Sequence, residues 1–232
     1  MSTAPDGVVT HGRAVYLPTA SALIVADAHV GRAAASNAGL LLDERSDLRD
    51  RLRAALDATA PETVVFAGDL LHQFDAPSDR TVGTVRTLAG AVRAAGARPV
   101  AVAGNHDAGL DRVWPGRVHD AYRLDDDTLV CHGHEAPDAG AERYVCGHLH
   151  PALTVAGRKR DCFLYDSAQY RDRPVLVVPA FSTFARGLCV ETRASIDSPL
   201  VATLGDCRPG VVDEDETLWF PPLADMRSYL RR

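Results

Sequence analysis

The chain has 232 residues, 46% hydrophobic and 24% charged, with a formal net charge of −6. That is apolar material for one sizeable core and, at roughly 150 residues per domain, a length of one to one and a half domains; disordered, collagen-like and coiled-coil classes are excluded. The acidic balance argues against a protein that grips nucleic acid through a broad basic face.

The N-terminal residues 1–6 contain neither a basic region nor an apolar signal core, and the longest apolar runs, 22–26 and 174–181, fall far short of the ~20 residues that cross a bilayer. Five cysteines (131, 146, 162, 189 and 207) are odd in number and form no CxxC pair, so reduced thiols and a cytoplasmic location are expected. Residues 22–26 are a short apolar strand. A helix is expected over 43–59, where Leu48, Leu52 and Leu56 recur every four residues and Pro61 stops it. A second strand follows at 63–67. A second helix over 79–95 carries Val82, Val85, Ala89 and Val92 on one face and ends at Gly96, before a third strand at 99–103. This rhythm implies a largely parallel sheet flanked by helices.

After Asn105 the texture changes. Short apolar runs at 118–124, 128–131, 144–146, 152–156, 162–165, 175–178 and 188–192 imply a second, β-rich sheet packed on the first. Arg158-Lys159-Arg160, which includes the only lysine, is expected at a hairpin tip. The acidic run at 213–216 is expected as a solvated turn ahead of a docking aromatic segment.

Five polar clusters each follow an apolar run: Asp27-Ala28-His29, Gly68-Asp69-Leu70-Leu71-His72, Gly104-Asn105-His106-Asp107, His132-Gly133-His134 and Gly147-His148-Leu149-His150. The carboxyl ends of neighbouring strands in an open sheet face a common crevice, so these clusters can converge. Asp27 and His29, two apart, would point to the same side of an extended segment and share an ion; His148 and His150 repeat that spacing. Asp69 has two oxygens able to bridge two ions, and Asn105 offers a neutral carbonyl oxygen. The mixture of Asp, Asn and His suits Mn²⁺, Fe²⁺ or Zn²⁺ rather than a thiolate site. Any one cluster alone is weak evidence. Five in order, holding seven of the nine histidines, are not explained by packing, whereas His11 and His119 have no such context.

The series D-x-H, G-D-x-x-H, G-N-H-D, H-G-H and G-H-x-H, over residues 20–190, resembles the calcineurin-like metallophosphoesterase family. The resemblance implies an α/β fold, a four-layer αββα sandwich of two mixed sheets, within a single domain over 1–232 whose β-rich C-terminal segment and tail occupy 191–232. It implies two divalent ions, Mn²⁺ first and Fe²⁺, Zn²⁺ or Ni²⁺ as alternatives. Asp27, His29, Asp69 and His150 would hold one; Asp69, Asn105, His132 and His148 the other, with Asp69 bridging. His106, oriented by Asp107, would give a proton to the leaving group after attack by a metal-bridging hydroxide. The roles of His72 and His134 stay open.

Asp27-Ala28-His29-Val30-Gly31-Arg32, Gly147-His148-Leu149-His150-Pro151 and Val178-Pro179-Ala180-Phe181-Ser182 are also similar to segments of the small DNA ligase-associated phosphoesterases of the PdeM type, with Arg32 in place of Lys and Ser182 in place of Gly. Arg32 either contacts phosphate or sits at a solvated helix start. The expected activity is phosphodiester hydrolysis on nucleic acid or nucleotide substrates, with DNA-repair partners and no membrane partner. Phosphomonoester hydrolysis is the alternative. A protein-binding scaffold on the same fold, as in the retromer subunit, is the alternative from another class.

Overall fold

The computed structural model describes residues 3–32, 44–72, 77–193, 196, 198–214 and 216–230. The chain enters through a hairpin absent from the expected elements, β1 (Val9–His11) and β2 (Ala14–Leu17), which turns on Gly12 and Arg13 with Gly12 at φ 53°. β2 pairs antiparallel with β3 (Ala22–Val25). Parallel strands β4 (Thr63–Ala67), β5 (Arg98–Val102) and β6 (Val118–His119) then complete a six-stranded sheet in the order β1 to β6.

The unbroken apolar runs of β3 and β4 follow from burial on both faces. Leu23, Val25, Val64 and Phe66 face helices α1 (Glu44–Thr59) and α2 (Asp79–Ala94), against Leu48, Leu52, Leu56, Val85, Leu88 and Val92. Ile24 and Val65 face the other way, into the second sheet. Ser78 caps α2 by accepting the Thr81 N–H, and Gly96, at φ 83°, lets the chain leave while Ala97 N–H returns to the Val92 carbonyl. Asp43, the expected start of the first helix, and Asp215 of the acidic run lie outside the described residues.

The run expected at 118–124 is divided between two sheets. β6 ends at His119, and β7 (Ala121–Arg123) pairs with β8 (Thr128–Cys131), so the chain crosses from the first sheet to the second at Asp120. β8 is followed by β9 (Arg143–Cys146), β10 (Pro151–Val155), β11 (Arg158–Tyr170), β12 (Arg173–Val177) and β13 (Leu188–Cys189), in the order β13-β10-β11-β12-β9-β8-β7. β11 is longer than the run at 162–165 because it serves β10 with one end and β12 with the other, while its middle pairs with β14 (Arg208–Asp213). Arg158-Lys159-Arg160 follows the hairpin turn directly, as expected. β14 and β15 (Glu216–Trp219) form a tail hairpin whose acidic turn precedes buried Trp219, stacked near Phe163.

The sheets pack face to face through Ile24, Val65, Val100 and Val102 against Val130, Val145, Phe163 and Leu176. The outer face of the second sheet is covered by Leu200, Val201, Leu204 and Leu223, the last at the start of α4 (Leu223–Leu230) after the short α3 (Leu110–Val113) much earlier in the chain. All five cysteines are free and four are buried. Among the described residues no helix is long and apolar enough to cross a membrane.

A clasp ties the sheets together where β3 and β12 end. The segment leaving β12 forms a parallel bridge between Ala180 and Ala26, and Phe181 N–H donates to the Ala26 carbonyl at 2.8 Å. Arg13 locks it, donating to the carbonyls of Ala180 (3.1 Å) and Ser182 (2.9 Å) and pairing with Asp161. Arg13→Ala is therefore expected to cost about 1–3 kcal/mol, because buried carbonyls lose their donor. Arg173→Ala, which breaks an exposed pair with Glu142, should cost under about 1 kcal/mol. Urea unfolding of the two variants tests this; equal midpoints would remove the clasp from the account.

Candidate metal centre

All five polar clusters stand at C-terminal strand ends, after β3, β4, β5, β8 and β9, and they meet beside the clasp. Backbone pairing sets the first two. Asp27 N–H donates to Gly68 O, His29 N–H to Asp69 O, Val30 N–H to Leu70 O and His72 N–H to Val30 O, so the loops after β3 and β4 run as a bonded pair. The expected extended geometry at Asp27 and His29 is not what brings them together. Asp27, His29, Asp69, His148 and His150 all have φ between 42° and 68°, in the left-handed region that non-glycine residues avoid. Each turn swings its side chain into the crevice.

Within it the side chains link pair by pair. His29 Nε2 lies 3.1 Å from His150 Nε2, and His150 Nε2 lies 3.4 Å from Asp27 Oδ1. His132 Nε2 faces Asn105 Oδ1 at 3.0 Å, His148 Nδ1 at 3.2 Å and Asp69 Oδ1 at 3.4 Å. Asp69 Oδ2 stands 3.9 Å from both His29 Nε2 and His106 Nε2. Donor atoms ~2.1 Å from one ion at 90–110° are about 3.0–3.4 Å apart, so the contacts other than those of Asp69 Oδ2 have the separations of atoms that share a cation. Two sets of three offer donor atoms all within 4.8 Å of one another, Asp27, His29 and His150, and Asp27, Asp69 and His132, with Asp27 common to both.

The carboxylates show the same fit. Asp27 is completely buried; its Oδ2 accepts the His148 N–H at 2.9 Å, while its buried Oδ1 has no hydrogen-bond partner among the described residues. Burial opposes the Asp27 charge, but the imidazoles of His150, His132 and His29 more than offset it and hold its pKa below the usual value. Burial raises Asp69 to about 8, against the pull of the His106 N–H that its Oδ1 accepts at 2.9 Å. His29 is pushed down to about 3 and His132 to about 4, both first by burial. Burial thus leaves His29 and His132 neutral, whereas the burial of His150 is more than offset by Asp27, which raises its pKa, and Asp69 keeps its proton to about pH 8. A bound cation would displace the protons of Asp69 and His150. His132 Nδ1 is 3.3 Å from the Ala67 carbonyl, leaving Nε2 to face the cluster.

Residues 20–172 match the calcineurin-like phosphoesterase family. The chain belongs to that family, and with it to the phosphoric ester hydrolases. No curated protein matches it at significant similarity. Among solved structures, the nuclease MPE of Pseudomonas putida is similar over 92% of this chain and 94% of that one, with a TM-score of 0.65 at 23% identity. The phosphoesterase YfcE of E. coli is similar over 83% and 87% of the two chains, with a TM-score of 0.44 at 16% identity.

This phosphoesterase gathers seven histidines into one patch. His72, whose role the sequence left open, stacks 5.7 Å from His106 and stands edge-on to His29 at 5.2 Å; His134 lies 5.1 Å from His132. Asp107 departs from its expected place beside the His106 ring. Its oxygens accept the backbone N–H groups of Leu71 and Gly104, both at 2.8 Å, so its carboxylate braces the turns that carry Asp69 and Asn105. The glycines also have a reason beyond backbone turning: a Cβ at Gly68 would collide with the His132 ring, and one at Gly104 with the Asp69 carboxylate. The Ser182 N–H, which donates to the Asp27 carbonyl at 3.3 Å, gives the segment 178–182 a place beside the site, and Arg13 supports it without any signal in the motif pattern.

The raised pKa of Asp69 makes the metal-free protein less stable as pH rises. Between about pH 4, where the unfolded carboxylate ionises, and about pH 8, the native state holds the extra proton, so stability falls across that window. Asp69→Asn in excess chelator should therefore raise the thermal midpoint, more at pH 8 than at pH 5. Calorimetry that finds no gain at pH 8 would contradict the buried-carboxylate account.

Proposed function

We propose that the chain hydrolyses phosphodiester bonds with two divalent ions, one held by Asp27, His29, Asp69 and His150 and the other by Asp69, Asn105, His132 and His148. The observation that carries this reading is the linkage of these seven side chains at ligand separations, with His106 at the mouth. Asp69 is the bridging candidate because its oxygens stand between His132 on one side and His29 on the other. A set of oxygen and imidazole donors without thiolate suits Fe²⁺, Zn²⁺, Ni²⁺ or Mn²⁺, and Mn²⁺ comes first on the family resemblance.

Bound there, the two ions would supply Lewis acidity toward the phosphoryl oxygens and a water ionised near neutral pH. In the overall reaction a water oxygen joins phosphorus, one P–O ester bond breaks, and the departing alcohol takes a proton. We assign His106 to give that proton: about a quarter of its side chain is exposed (25%) while Asp69 is buried, although burial and then the charge of Arg32 lower its pKa in the metal-free protein. His72, stacked on it, limits the orientations its ring can take. Asp107 acts at one remove, by fixing the turn from Gly104 onward. The Pseudomonas putida protein of similar fold is named a nuclease, which supports nucleic acid and nucleotide esters as the substrates to try first and DNA-repair components as partners.

With Mn²⁺ the purified protein should hydrolyse bis(p-nitrophenyl) phosphate faster than p-nitrophenyl phosphate. His106→Ala should lose about 10²–10⁴-fold in turnover while keeping its metal. Asp69→Ala should lose both ions, read as metal content per chain after gel filtration. No diesterase activity with any of the four metals would overturn the reading, and a faster monoester would make the chain a phosphomonoesterase. Loss of a single ion from Asp69→Ala would move the shared ligand to Asp27.

A further inference from the structure

A cleft of about 460 Å³ opens beside the His132 edge of the metal centre, between the crossover at Asp120 and the loop after β8. Its apolar lining includes Leu129 and Pro137. Three exposed carboxylates, Asp120, Glu135 and Asp138, complete it, and among the described residues no lysine or arginine lines it. His132 and His134 belong to the same lining, so the cleft opens directly onto the ligand cluster.

The opposite edge carries the other sign. Arg32 is among the charges that act on His29, His72, His106 and His150. A phosphodiester laid across the centre thus has an acidic, partly apolar recess at one ester and the Arg32 cation at the other. Clefts lined by one sign of charge focus their field, so an anion in the recess is opposed, whereas an uncharged alcohol can bury its apolar surface there.

We propose that this cleft is the subsite for one ester group of the substrate, that it accepts an uncharged alcohol of nucleoside size, and that any further phosphate of the substrate lies toward Arg32. The proposal rests on the phosphodiesterase reading above and narrows it to small diesters or strand ends, where one ester group carries no additional phosphate. Asp120, Glu135 and Asp138 are specificity residues in this account. They act by repelling a second phosphate, and the chemistry at phosphorus is unchanged.

The four dithymidine phosphates TpT, pTpT, TpTp and pTpTp test it, with products separated by chromatography. TpT should be cleaved, and the better of the two singly phosphorylated compounds should have a kcat/KM at least tenfold above that of pTpTp, which cannot present an uncharged ester. Asp120→Asn/Glu135→Gln/Asp138→Asn should narrow that gap to threefold or less. In the unaltered protein the gap should also narrow with salt, as the Debye length contracts from about 10 Å at 0.1 M toward 3 Å at 1 M. Equal kcat/KM for pTpTp, a gap that neither salt nor the triple variant reduces, or hydrolysis of bis(p-nitrophenyl) phosphate without cleavage of TpT would overturn the proposal alone. Absence of all diester hydrolysis would overturn the phosphodiesterase reading with it.

Discussion

Two carboxylates, Asp27 and Asp69, are almost wholly withdrawn from water at the junction of two sheets, and the rest of the structure answers that constraint. An isolated buried charge is expensive, and two of like sign raise each other's cost. The protein meets part of it with backbone donors, the His148 N–H on Asp27 and the His106 N–H on Asp69. What remains is Asp27 Oδ1, facing His150, whose charge Asp27 favours, and His132, whose charge burial suppresses. A pocket with carboxylate oxygens and imidazole nitrogens turned inward is incomplete in chemical terms, and divalent cations, displacing the protons of Asp69 and His150, are the partners that complete it.

The backbone shows how firmly this arrangement is held. A non-glycine residue in the left-handed region costs roughly 1–2 kcal/mol, so five of them approach the whole stability of a domain, about 5–15 kcal/mol. Such turns persist only where the surroundings over-determine them. The ladder between the loops after β3 and β4, the Asp107 carboxylate spanning Leu71 and Gly104, and the clasp locked by Arg13 are those surroundings. Rigidity at this end of the sandwich is accordingly a condition of the site.

Much of this was legible in the residues. Apolar runs ending in Asp, His or Asn marked β3, β4, β5, β8 and β9 and their shared edge, because parallel strands buried on both faces have no room for polar residues until they stop. The rest was hidden for identifiable reasons. The hairpin at 9–17 carried a glycine turn signal but ends in His11, a polar residue within a strand. The break at Asp120 cannot be seen in a run of mostly apolar residues, since transfer between sheets depends on which neighbour supplies the hydrogen bonds. Asp107 was expected to orient His106 on the family resemblance, yet its two oxygens accept the backbone N–H groups of Leu71 and Gly104. The left-handed residues at 27, 29, 69, 148 and 150 are Asp and His, which enter that region more readily than other side chains, but no local pattern announces which of them do so.

The −6 charge acquires a different meaning once it is placed on the structure. An acidic surface keeps polyanions at a distance, and here the carboxylates of Asp120, Glu135 and Asp138 extend that opposition to the edge of the reaction centre. On the proposed reading, attraction for phosphate is then confined to the metal centre and Arg32 beside it. A broad basic face would hold a polynucleotide anywhere along its length; a single positive focus beside an acidic recess favours a substrate whose charge ends at the scissile group. The distribution of charge, more than its sum, therefore argues for selection among phosphoesters by what the ester lacks.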